Sequence, residues 1–183
     1  MSHPGAVFLA GSLILIWISR ASLAHPGSHG FYRFFAWEAI LALFLMNRGF
    51  WFRDPFAWYQ LISWLFLLVA LFLVIHGIWL LRQRGVQDAA RSDAPLLEFE
   101  KTTVLVTQGA YRYIRHPLYS SLFFLTWGIF FKLPSLWGAL LALIATALLV
   151  ATARAEERED LNFFGAPYRE YMRRTKMFIP YLF

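Results

Sequence analysis

Hydrophobic residues gather along the chain into five long blocks, near 5–24, 31–47, 56–81, 117–131 and 135–153, with the charged residues collected between them. Runs of about 17–25 mostly apolar residues can cross a ~30 Å hydrocarbon core as helices. The fourth block is short for this, but Pro117 suits a first helical turn and Pro134 separates it from the fifth. Blocks four and five therefore predict a tight helical hairpin. The fifth helix should outrun the membrane. Its sequel, "ARAEEREDLNFF", continues in good helix formers to Phe164, after which Gly165 supplies a stop and Pro167 a fresh start. About 30 residues from Ser135 to Phe164 rise ~45 Å, so the last turns leave the bilayer. Residues 167–175, "PYREYMRRT", follow as a basic, tyrosine-bearing helix suited to an anionic interface. The expected fold is an all-α integral membrane bundle of about five transmembrane helices. It forms one domain over 1–183, with three spans in 1–81, a loop in 82–116, the hairpin in 117–153 and a C-terminal helix and tail in 154–183.

Composition agrees with the pattern. The chain is 59% hydrophobic and 19% aromatic, with 15% charged residues, against about a quarter charged in soluble domains. Cysteine is absent, which excludes disulfides, thiolate metal sites and a cysteine nucleophile. The net charge of +6 is better explained by membrane topology than by nucleic acid. Placing the N-terminus outside leaves only Arg48, Arg53 and Lys132 on the outer side, among 17 Lys and Arg residues. The expected orientation is N-out, C-in, and the two long hydrophilic segments face the cytoplasm. No Lys or Arg precedes the first apolar block, and Arg20 follows it, so that block reads as a retained span rather than a cleaved leader. Nothing in the chain points to a eukaryotic setting, so a prokaryotic inner membrane is the expected location.

The hairpin brings two charged segments to one level. Fourteen residues up from Pro117 and 21 down from Ser135 are about 21 and 32 Å, which places Arg115 and His116 near the depth of Glu156 and Glu157. Arg115 and His116 lie four and three residues before Tyr119, so each shares a helix face with it. A helix start also offers unpaired N–H groups to a carboxylate, while Glu156 or Glu157 can receive an ammonium or a ribose diol. An amino acid joined to a nucleoside, as in S-adenosylmethionine, carries matching charges. The same residues also fit a plainer role as interface anchors and a salt bridge across the hairpin.

"GAYRYIRHPLYSS" together with "EEREDLNFFGAPYREYMRRTKMFIP" resembles the isoprenylcysteine carboxyl methyltransferase / phospholipid methyltransferase superfamily of small membrane enzymes. The motif residues fall on Arg115, His116, Pro117 and Tyr119, on Glu156, Glu157 and Leu161, on Phe164, Gly165, Tyr168 and Tyr171, and on Ile179 and Pro180. The resemblance covers roughly 100–183. It implies S-adenosylmethionine as cofactor, held by Arg115, His116, Tyr119, Glu156 and Glu157, with Tyr111 and Tyr168 counted among the cofactor-binding residues. It implies no metal, and a lipophilic or lipid acceptor carrying an amine, carboxylate or thiol; no nucleic acid or protein partner is expected. Two positions depart from the pattern: Ser121 stands where a glycine is usual, and Asp160 where an apolar residue is common.

No general base can be assigned from the sequence; the candidates are His116, Tyr119, Glu38 and His76. Glu38 and His76 are included because ionisable groups in apolar runs are costly. His25 and His29 are four apart, but Pro26 and Gly27 between them argue for a loop and against a metal site. Val104, Leu105 and Val106 are apolar residues in a cytoplasmic segment, which suggests a stretch that folds back over the helix ends. Gly138, Ala142 and Thr146 favour close helix packing. Two other functions stay open. One is an NADPH-dependent reductase of the sterol-reductase type, against which Leu118 and Ser120-Ser121 count. The other is a non-catalytic membrane binding protein.

Overall fold

The computed structural model describes residues 4–85 and 102–183. Part of the expected cytoplasmic loop, 86–101 with its Arg91 and Lys101, lies outside the described residues, as do residues 1–3. The described residues form six α-helices and two 3-10 turns. These are α1 (Pro4–Leu23), α2 (His29–Asn47), α3 (Trp58–Arg84), α4 (Pro117–Phe130), α5 (Leu136–Phe164) and α6 (Ala166–Arg174). The 3-10 turns are Arg48–Phe50 and Gly109–Arg112. By length and composition α1, α3 and α5 can each cross a membrane, and α4 is a shorter apolar helix.

Local chemistry sets the helix ends where the sequence punctuates them. Ser28 caps α2 by accepting from the Phe31 N–H, and Ser135 caps α5 by accepting from Gly138. Pro117 opens α4 with His116 as its N-cap. Gly165 closes α5 at φ 64°, a left-handed conformation that a side chain would strain.

The most extensive helix contacts are α2 with α5 and α3 with α4, and α1 lies on α2. Ala142, Ala145, Leu149 and Ala153 are fully buried along one face of α5. Of the expected small-residue stripe, Gly138 and Ala142 are buried, while Thr146 is half-buried and accepts from Trp127 Nε1 at 3.2 Å. Such side chains let helix backbones approach closely where lipid supplies no hydrophobic drive.

The end of the bundle at the α4–α5 turn holds a buried cation that the sequence presented as an ordinary loop charge. Lys132 is 1% exposed; its Nζ donates to Gln60 Oε1 at 3.0 Å and sits 3.3 Å from the centre of the Trp64 ring. Gln60 Nε2 in turn donates to the carbonyls of Phe50 and Lys132. Replacing Gln60 with alanine removes the acceptor of the Lys132 ammonium and a donor to each of the two carbonyls, of which the Phe50 carbonyl keeps the Arg53 N–H. The expected loss is about 3 kcal/mol of stability, read as a lowered melting temperature in detergent.

Candidate functional site

The site is built where the start of α4, the end of α5 and the C-terminal segment meet. The backbone from Tyr113 to His116 runs beside Lys176 and Met177: Arg115 N–H donates to Lys176 O at 2.8 Å and His116 N–H to Met177 O at 3.2 Å. Ser120 Oγ donates to the carbonyls of both His116 and Phe178, at 2.9 and 2.8 Å. Tyr171 Oη donates to Tyr111 O at 2.6 Å, which ties α6 to the 3-10 turn. Residues 109–116 thus rest on the tail that follows α6.

Arg115 donates from Nε to Glu157 Oε1 at 2.6 Å and from Nη1 to the carbonyls of Met172 and Thr175, the latter bond being very short. Most of its donor capacity therefore serves to join α4, α5 and α6. His116 lies between the two glutamates, Nδ1 3.2 Å from Glu156 Oε2 and Nε2 3.4 Å from Glu157 Oε1. Its ring stacks on Tyr119 at 5.5 Å. Burial works against the imidazolium, but the two carboxylates outweigh it and raise the His116 pKa to about 9. Burial also pushes the Tyr168 and Tyr171 phenols well up, with the Asp160 carboxylate adding to both, so they stay neutral.

A cleft of about 630 Å³, measured out to its open mouth, forms between these groups. Tyr111, Arg115, His116, Tyr119, Glu156 and Tyr168 line it, with Asp160 and Phe164 continuing the α5 wall. Six of the seven residues expected to hold a cofactor thus meet in one cleft. The seventh, Glu157, is turned aside onto Arg115 and His116. Leu105 and Val106 also line the cleft, and Val106 is buried with Leu80 and Tyr111, whereas Val104 is 46% exposed. The expected return of this segment over the helix ends therefore involves Leu105 and Val106.

The other candidates lie elsewhere. Glu38 accepts from Ser12 Oγ at 2.7 Å, between α1 and α2 and outside the cleft. His76 stacks between Phe72 and Trp79. It lines a separate apolar groove with Leu73, Tyr113, Phe124 and Phe178. Phe178 joins the two regions, since its ring also packs edge-on against His116 at 6.4 Å.

Sequence reasoning missed three participants. Asp160 had been noted only as a departure from a motif, yet it faces the cleft one turn beyond Glu156, a spacing that could have flagged it. His29 opens α2 instead of lying in a loop, and its ring binds Glu159 of α5 across 130 residues of sequence. No local signal marks that pair. Among the described residues no group of side chains is arranged to hold a metal ion.

A helical bundle with apolar spans and a cleft lined by charged and aromatic side chains at the ends of its helices defines the class as a small helical membrane protein. The phospholipid methyltransferase family matches residues 64–166, more than half of the 183-residue chain, and the chain belongs to that family. It is similar to methanethiol S-methyltransferase of Crocosphaera subtropica, 27% identical over 122 residues, covering 66% of this chain and 44% of that protein. The likeness to methanethiol S-methyltransferase of Pseudomonas deceptionensis is also 27%, over 66% of this chain and 43% of the relative. Methanethiol S-methyltransferase 2 of Bradyrhizobium diazoefficiens is 35% identical over a shorter stretch, 40% of this chain and 27% of that protein. The chain spans less than half the length of the curated relatives it matches. No solved structure gives a significant match.

Proposed function

We propose that this protein is a membrane methyltransferase that binds S-adenosylmethionine in the cleft and methylates a lipophilic acceptor drawn from the bilayer, with the N-terminus outside and the cleft facing the cytoplasm. One observation carries the reading: Glu156 and Asp160 line one wall of a cleft whose other walls combine tyrosines, apolar side chains, Thr102 and the cationic Arg115 and His116. That donor set fits a ligand with an ammonium, a ribose diol and a planar base, so the residues present suit the cofactor. Glu156 and Asp160 would take the positive and hydroxyl groups, Tyr168 stacked on Phe164 at 6.3 Å would form an aromatic wall for the base, and the α4 start would face the carboxylate.

The bound cofactor would supply an electrophilic methyl group on a sulfonium whose departure leaves a neutral thioether. The chain's own part is then to bind, align and exclude water, without an oxyanion hole. His116, held protonated to about pH 9 by its two glutamates, acts at neutral pH as a donor that orients Glu156 rather than as a base. The apolar groove beside Phe178 offers a place for a hydrocarbon acceptor next to the cleft. The names of the relatives favour a thiol as the accepting group.

Calorimetry on detergent-purified protein should show binding of S-adenosylmethionine and S-adenosylhomocysteine and none of NADPH. Binding of NADPH alone, or of no nucleoside ligand, would overturn the proposal. Glu156→Gln should weaken S-adenosylhomocysteine by ~1.5–3 kcal/mol, the range for a hydrogen bond to a charged group.

A further inference from the structure

The last turns of α5 pose a problem of rotation. Up to Ala153 the helix is keyed by small, fully buried side chains against its neighbours. Beyond Ala155 come Glu156, Glu157, Arg158, Glu159 and Asp160 in succession, and apolar packing no longer decides which of them faces inward. At about 100° per residue, Glu156 and Asp160 lie within ~40° of each other, so both can face the cleft. Glu157 and Glu159 lie ~160° apart, on opposite flanks of that stripe.

Each flanking carboxylate is tied to a different neighbour. Glu157 is held by Arg115 Nε at 2.6 Å, from the side of α4 and the tail. Glu159 is held from the side of α2, where its Oε1 accepts the backbone N–H of His29 at 3.1 Å and its Oε2 makes a very short bond with His29 Nδ1. The His29 side chain is fully buried and that of Glu159 is 19% exposed. Glu159 also satisfies one of the free N–H groups at the start of α2, where a negative charge is favoured by the helix dipole.

We propose that the His29–Glu159 pair is a positioning device, one of two opposed braces that fix the rotation of the final turns of α5 and so aim Glu156 and Asp160 into the cleft. Its effect on ligand affinity rests on the cofactor reading above. The brace itself does not, because it is a property of the unliganded chain. His29 and Glu159 touch no ligand in this scheme and act through the residues between the braces.

Two measurements on the detergent-purified full chain test the proposal. Hydrogen–deuterium exchange without ligand should show faster exchange across 154–164 in Glu159→Ala and in His29→Ala, with 136–150 unchanged. S-adenosylhomocysteine should bind about tenfold more weakly to either variant, and the double variant should be no worse than the singles, as expected of groups that act as a unit. Glu159→Gln keeps an acceptor oxygen and should stay within about threefold of wild type. Asn47→Ala is the control for simple destabilisation: it removes a buried bond to Ile129 O at the opposite end of the bundle and should leave affinity unchanged. Unchanged exchange across 154–164, or an equal loss of affinity in Asn47→Ala, would overturn the proposal. If exchange rises as expected while wild type binds no S-adenosylhomocysteine, the brace stands and the cofactor reading falls.

Discussion

Arg115→Ala should cost about 3–5 kcal/mol of stability, the usual result of removing one partner of a buried ion pair. The reason lies in what remains behind. Glu157 keeps a carboxylate that is 10% exposed, with the longer contact to His116 as its remaining ion pair among the described residues. The carbonyls of Met172 and Thr175 lose their donor at the end of α6. At roughly 2–4 °C per kcal/mol for a chain of this size, the melting temperature should drop by about 10 °C. Arg115→Lys should recover only part of this, since an ammonium cannot serve a carboxylate and two carbonyls from one planar fork. A melting temperature within a degree or two of wild type in Arg115→Ala would show that the junction of α4, α5 and α6 does not depend on this side chain.

The second large effect is a loss of stability on the alkaline side of neutrality. His116 has its pKa raised from 6.5 to about 9 in the folded protein. A raised pKa means that the folded state binds the proton more tightly than the unfolded chain does. The associated stability is fully present below pH 6.5 and disappears as pH climbs through about 9. A shift of that size corresponds to about 3 kcal/mol. Melting temperatures measured from pH 6 to about 9.5 should therefore fall for wild type. His116→Gln should start lower and flatten over the same interval. An equal slope in both proteins would assign the proton to another group.

Much of the fold was legible in the chain because helix ends have local causes. Pro117, Ser135, Gly165 and the apolar blocks are local features, and α4, α5 and α6 begin and end within two residues of the positions those features imply. The meeting of the 109–116 segment with the glutamates of α5 was legible too. It follows from the rise per residue of two antiparallel helices joined by a short turn. Orientation across the membrane remains a reading of charge distribution alone.

Other parts were not legible, for a common physical reason. Depth along a helix depends on counting residues, but rotation about its axis depends on every side chain it packs against. Sequence placed Glu156 and Glu157 at the right level and treated them alike. Tertiary structure separated them, sending Glu156 to the cleft wall and Glu157 to Arg115. Lys132 read as a loop charge and became a buried cation between Gln60 and two tryptophans, because residues from α3 and the preceding turn close over it. His29 looked like part of a loop until α5 supplied Glu159 to it. The chain by itself determined the membrane class, the helices and the family to which they belong. Only the packed structure decided which faces of those helices look into the cleft, because that choice is made by contacts between residues far apart in sequence.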